Sequence, residues 1–404
     1  MVEIKAIIKS AKKYTSRKVV KPIQSAVKTL QKKRRLKVVE SCKKKLSVLR
    51  IEPINFSIRN DKDREIVVRT FQHFLNSLDF PVQIVVATDS LNLDTYLAKK
   101  QEEVDSTKNA TYKHIFKDFK EHLLSTIAKK GLLNRSFYLI VPERENLAVQ
   151  MEVCEQLLTN MNLHFTKLDD EELTLLLSGF FQDVYSEQPT TKDDYFFSSI
   201  APSKFINHVK DVKIDDTYVR TIAVRGYPRI VEEGFLDKII TLNGKIDISL
   251  HIEPYDIEET MVMLNKQLQK QRGDLWAMEQ KDIINPVLEI QYDDTRKVLE
   301  HLQKGNEKLF NISLYISCKA STRKELDVIA RKVESQLNAM LMLPYTPQHI
   351  QHKAFKSVLP LGENELGIRR NITTGALSAF FPFTSQFLQI DESGILLGLN
   401  RNNI

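Results

Sequence analysis

Two apolar runs sixty-four residues apart are written almost alike, Ile248-Ser249-Leu250-His251-Ile252 and Ile312-Ser313-Leu314-Tyr315-Ile316. Each alternates large aliphatic residues with smaller or polar ones at the period of a half-buried strand. Each also precedes a helical stripe. The first carries Ile257, Met261, Leu264 and Leu268 behind Asp256, and the second Leu326, Ile329, Val333, Leu337 and Met340. A twice-used strand-helix unit constrains the chain to layered α/β architecture, with antiparallel strands and helices on one face accommodating both copies. A helical spacer containing Trp276 and the run Val298 to Lys304 joins them.

The N-terminal half shows the same grammar. Asn60 caps a helix with Asp61 and Asp63 in its first turn and apolar residues at Val67, Phe71, Phe74, Leu75 and Leu78. Phe80-Pro81-Val82 opens a buried strand, and Phe137 to Val141 forms another. Between them a helical region becomes regular from Tyr112, with Ile115, Phe116, Phe119, Leu123 and Ile127 on one face. Leu147, Met151, Cys154, Leu158 and Met161 then fall at helical spacing. These pieces predict a basic amphipathic arm at 1–45, a first α/β domain at 46–185, and a Pro-containing linker at 186–205. A second α+β domain at 206–390 and a lead-in at 391–404 complete the order. The two domains are expected to be separately cored.

Charge is unevenly placed. Residues 1–50 hold 17 Lys or Arg against Glu3 and Glu40, whereas the remainder has 42 basic and 50 acidic residues. The basic character therefore belongs to the arm, where Ile4, Ile7, Ile8, Tyr14, Val20, Ile23, Val27 and Leu30 form an apolar stripe among lysines. Lys5, Lys9, Lys12, Lys13, Arg17, Lys18, Lys32, Lys33, Arg34 and Arg35 are candidates for contact with an anionic surface, either membrane lipid or nucleic acid. A helix that packs its stripe on the protein body and solvates its lysines is the alternative.

Several functional classes lose support. Cys42, Cys154 and Cys318 form no CxxC pair, which fits reduced structural thiols. Residues 1–30 lack the apolar core and small-residue cleavage site of a secretory signal. The longest uncharged run, Asn371 to Ile390, contains eight Asn, Thr, Ser or Gln and is broken by Pro382, so it reads as buried loop and short helix. Gly362 and Gly367 have phosphate-loop spacing, but Ile368 and Arg369 stand where Lys and Ser or Thr are required. His349 and His352 share a helix-face spacing without a third ligand, so no metal site is expected. The acidic pairs at Asp169, Asp193, Asp215 and Asp293 read as caps and turns.

One order of motifs resembles a known family. Arg225-Gly226-Tyr227-Pro228, Gly234-Phe235-Leu236-Asp237, the Ile248 strand and its helix come first. Leu359-Pro360, Gly362, Thr373-Thr374, Pro382-Phe383, Gly394, Gly398 and Asn400 follow. This is similar to the region preceding the phosphate-loop strand in conjugative type IV secretion ATPases of the TraC-like family. The resemblance covers about 46–404 and is densest from Tyr218 onward. It implies a non-catalytic N-terminal scaffold that docks a motor on the cytoplasmic side of an export channel, peripheral to the membrane's inner face. ATP and Mg²⁺ are implied only for a downstream domain, and no cofactor for this chain. Secretion-channel proteins, the ATPase domain and further copies of the chain are the implied partners. Arg369, Arg370, Phe381, Pro382 and Phe383 are the expected motor-docking residues. The alternative is a stand-alone nucleic-acid-binding protein acting through the basic arm.

Overall fold

In a computed structural model of the chain, the described residues are 46–385, apart from 57–58, 91–93, 107–109, 131–132, 145, 182–201, 203, 229–230, 232–233 and 306. The basic arm, nearly all of the expected linker and the lead-in at 391–404 lie outside them.

The first half comprises β1 (Leu46–Ile51), α1 (Asp61–Ser77), β2 (Val82–Ser90), α2 (Asp94–Ser106), α3 (Ala110–Lys130), β3 (Leu133–Pro142), α4 (Leu147–Asn160), β4 (Phe165–Lys167) and α5 (Asp170–Phe181). The second half begins with β5 (Phe205–Asn207), β6 (Val212–Ile214), β7 (Thr217–Gly226), α6 (Asp237–Ile240), β8 (Ile246–Pro254) and α7 (Ile257–Glu279). It continues with α8 (Pro286–Gln303), β9 (Leu309–Ala320), α9 (Arg323–Ala339), β10 (Leu343–Tyr345), α10 (Gln351–Lys356), β11 (Arg370–Thr373) and α11 (Thr374–Ser378).

The caps expected from sequence at Asn60 and Asp256 are in place. The Asn60 side chain accepts from the Asp63 amide, and Asp256 accepts from that of Glu259. Thr322 and Glu325 form a reciprocal capping box at the start of α9.

The strands join in one sheet of order β4-β1-β3-β2-β8-β9-β7-β6-β5, with β10 on β7 and β11 on β9, and all ladders are antiparallel. The near-identical runs in β8 and β9 are neighbours, paired Ile248 with Ile316, Leu250 with Leu314 and Ile252 with Ile312. Their helices diverge, because α9 packs back on β7 and β9 whereas α7 turns away and pairs with α8. The repeat thus holds for strands and fails for helices.

Separate cores are not what the sheet builds. Strand β2 of the first half pairs β8 of the second over Val82↔Ile252 to Val86↔Ile248. One apolar cluster runs across that seam, from Phe71, Phe74 and Phe137 to Leu250, Ile312 and Val333. Strand β2 is central, paired with β3 on one edge and β8 on the other, and Val82 to Ala87 are buried on both faces. Helices α1, α4 and α9 cover one face. The other is closed by α5, α10 and the segment following α10, around Val85, Ile140, Phe180, Phe355 and Leu359.

Candidate functional site

The middle of that second face is polar and buried. Gln83 of β2, Ser249 and His251 of β8, and Ser313 and Tyr315 of β9 point into it and are all buried. Alternation in β8 suggests a half-exposed strand, yet its polar side is roofed by residues 357–368, whose backbone supplies the partners. Gln83 Nε2 donates to Ser249 Oγ and to the Leu359 carbonyl, both at 2.9 Å, and Gln83 Oε1 accepts from the Gly362 amide at 2.8 Å. Tyr315 donates to Asn364 Oδ1 at 2.7 Å, and Asn364 Nδ2 donates to Ser313 Oγ at 2.9 Å.

Ser249 and His251 lie 3.3 Å apart, which invites comparison with a nucleophile and its base. The geometry assigns them a different task. His251 Nε2 is 2.7 Å from the Ser357 carbonyl oxygen, so that nitrogen carries the proton and cannot receive one from the serine. Burial pushes the imidazole down to about 4, against the opposing hydrogen bond to Ser357, so it is neutral at physiological pH. The pair holds the roof on the sheet.

A second buried charge sits beside this row. Lys319 Nζ meets Asp247 Oδ2 at 2.7 Å and lies 4.7 Å above the Phe180 ring centroid, tying α5 to the sheet. Arg135 on β3 does similar work on the opposite face. Its guanidinium donates to the carbonyls of Ile240 at 3.1 Å, Ile246 at 2.6 Å, Leu242 at 2.9 Å and Gly244 at 3.3 Å. Burial lowers it to about 10, while nearby Asp247 opposes the shift. Sequence reasoning missed Arg135; the only signal was a lone basic residue at the edge of an apolar strand.

The expected motor-docking residues separate into two groups. Phe381 and Phe383 have no exposed surface and Pro382 is buried with them. The Phe381 ring lies 6.1 Å from Phe56, 5.4 Å from Phe71 and 5.7 Å from Phe383, while Phe383 meets Phe137 at 6.5 Å. They are therefore core residues and not a docking patch, because the first half of the chain already occupies the surface they would offer. The chain leaves this cluster through a parallel bridge between Ile54 and Thr384. Beside it is a recess of about 280 Å³, open space included, lined by Arg135, Asp237, Thr241, Thr384 and Ser385.

Arg369 and Arg370 stay at the surface. Arg369 pairs with Glu253 at 3.3 Å, and Arg370 Nε donates to the carbonyl of Arg225. Gly362 is a turn residue at φ +66, where an added Cβ would stand 2.9 Å from Pro142. Glu363 reaches Lys356 at 3.1 Å, and Glu365 pairs with the same lysine. Cys154 and Cys318 are buried and pushed up to about 12 by burial, which leaves both as inert thiols. Among the described residues no three His, Cys, Asp or Glu converge on a metal position, and no helix is long and apolar enough to cross a membrane. The expected anionic-surface residues, Lys5 through Arg35, lie outside the described residues.

What the body exposes is a hairpin. Helices α7 and α8 pack chiefly on each other, around Leu264, Leu299 and Leu302 near the sheet. From residue 272 to 294 nothing is buried. That distal half shows Trp276, 64% exposed, and Ile284, 83% exposed, together with Ile283, Val287 and Ile290. Apolar residues concentrated at the end of a projecting element mark an interaction surface and not a reaction site.

No curated protein matches the chain. A family model does: residues 43–174, which hold the β4-β1-β3-β2 side of the sheet with α1 to α4, match the archaeal TraC-like domain.

Proposed function

We propose that the chain is a non-catalytic docking and scaffold region of a conjugative type IV secretion ATPase, positioning a motor at the cytoplasmic side of a DNA-transfer channel. The observation that carries this reading is the archaeal TraC-like match at 43–174. It is supported by a body in which Gln83, Ser249, His251, Ser313 and Tyr315 hold the roof and whose accessible features are surfaces. Channel proteins, a P-loop ATPase domain and further copies of the chain are the partners this role requires. The basic arm, through Lys5, Lys9, Lys12, Lys13, Arg17, Lys18, Lys32, Lys33, Arg34 and Arg35, would bind the anionic inner leaflet. A second reading, nucleic-acid binding through that arm, draws on the same 17 basic residues in the first 50.

The test is co-purification of the full chain with a P-loop domain of a conjugative ATPase, combined with flotation on anionic vesicles. The scaffold reading expects stable capture, flotation at low salt and no ATP turnover by the chain alone. Steady turnover abolished by a point mutation in this chain would sink it. DNA retardation without flotation would favour the second reading.

A further inference from the structure

The hairpin tip and the basic arm carry complementary sequences of charge and apolarity. Val287 and Ile290 fall three residues apart on one face at the start of α8, Ile283 and Ile284 lie in the turn just before it, and Trp276 lies in the last turn of α7. Around them, from Gln271 to Asp294, stand Asp274, Glu279, Asp282, Glu289, Asp293 and Asp294 against Arg272 and Lys281 only. Arg296 offsets one of these, meeting Asp293 at 3.4 Å. The tip is thus an apolar strip with an acidic rim.

We propose that the occupant of this strip is the chain's own residues 1–45, seated with their apolar stripe on Trp276, Ile283, Ile284, Val287 and Ile290 and their lysines against the rim. The rim selects among occupants. A second copy of the tip would bring like charges together, and an anionic membrane would repel the carboxylates. The arm has the opposite composition, with the stripe Ile4, Ile7, Ile8, Tyr14, Val20 and Ile23 among lysines and only Glu3 and Glu40 as acids. Reach is sufficient. The 23 residues of α7 extend about 35 Å, whereas an arm of 45 residues joined at Leu46 spans up to about 150 Å when extended. Seating the arm on the tip would also place it in competition with any external anionic surface. The inference goes beyond the scaffold reading and does not rest on it.

Trp276 is the only tryptophan in the chain, so intrinsic fluorescence of the full-length protein reports on the tip directly. The experiment is acrylamide quenching of Trp276 across protein concentrations. It compares the parent with an arm variant carrying Lys32→Glu, Lys33→Glu, Arg34→Glu and Arg35→Glu, and with Ile284→Ser at an exposed tip position. Quenching in the parent should rise about twofold as salt goes from about 0.01 M to about 1 M and the Debye length contracts from about 30 Å to about 3 Å. The arm variant and Ile284→Ser should be fully quenchable at low salt. Protection independent of concentration assigns the seat to the same molecule's arm. Protection that grows with concentration but disappears in the arm variant assigns it to a neighbour's arm, by the same contact. Equal quenching of parent and arm variant at low salt overturns the proposal. So does protection that survives arm reversal, which would mean a second tip covers the first. Vesicle flotation stays a separate readout, so failure here and failure of the scaffold reading are distinguishable.

Discussion

Replacing Phe381 with alanine tests whether the chain has one core or two. The ring is fully buried and stands 5.4 Å from Phe71 and 6.1 Å from Phe56, both contributed by the first half of the chain. Removing a large aromatic from such a site costs about 3–5 kcal/mol through lost transfer energy and the cavity left behind. With a urea dependence of about 3 kcal/mol per molar for a body of this size, the midpoint should fall by about 1–1.7 M. The assay is hydrogen exchange read by mass spectrometry across a urea series, following peptides from β3 and β9 together. Both should lose protection in one transition and shift by the same amount, because β2 and β8 couple the halves. If the β3 peptides shift while the β9 peptides keep their parental midpoint, the halves are separately cored and the reasoning fails.

Two further outcomes follow from buried ionisable groups. His251 is held neutral in the fold near 4, whereas an unfolded chain takes up its proton near 6.5, so the unfolded state binds the additional proton below that pH. Stability should therefore be unaffected by this group above about pH 6.5 and fall by about 3 kcal/mol as pH drops to 4; His251→Gln should flatten that slope in urea midpoints taken at both ends. Asp247→Asn leaves the Lys319 ammonium buried without its counter-charge and should cost about 3–5 kcal/mol, visible as a lower Tm. Adding Lys319→Met should recover a large part of the loss, and a double variant no more stable than the single one would contradict the pairing.

Much of the fold was legible because local signals agreed with it. The stripes of α1, α4 and α9 marked their buried faces, and Asn60 and Asp256 capped the helices they precede. Pairing across the halves was not legible, since nothing local distinguishes a strand flanked by its own neighbours from one that accepts β8. The burial of the polar row is hidden from sequence for a related reason. Ser249, His251 and Ser313 carry the alternation of a solvated face, and only tertiary structure reveals that residues 357–368 cover it. The Phe380 to Phe383 segment announced its apolarity but not its destination, because the rings that receive it, Phe56 and Phe71, lie some three hundred residues earlier. Of the site residues, Arg369 and Arg370 lie at the surface, while the burial of Phe381, Pro382 and Phe383 has no local signature, because an apolar cluster late in a chain offers no clue to an early partner.

The seam between β2 and β8 has a consequence for how the polypeptide is made. Gln83 and Ser249, which bond across it, are separated by 166 residues. At about 5–20 residues per second, roughly 10–30 s elapse on the ribosome between the emergence of one and the other. From the completion of β3 until β8 emerges, β2 can pair on one side only, and the edge that β8 will occupy stays open. A translational pause placed between β3 and β8 lengthens the time that this edge stays open and should lower the yield of native protein.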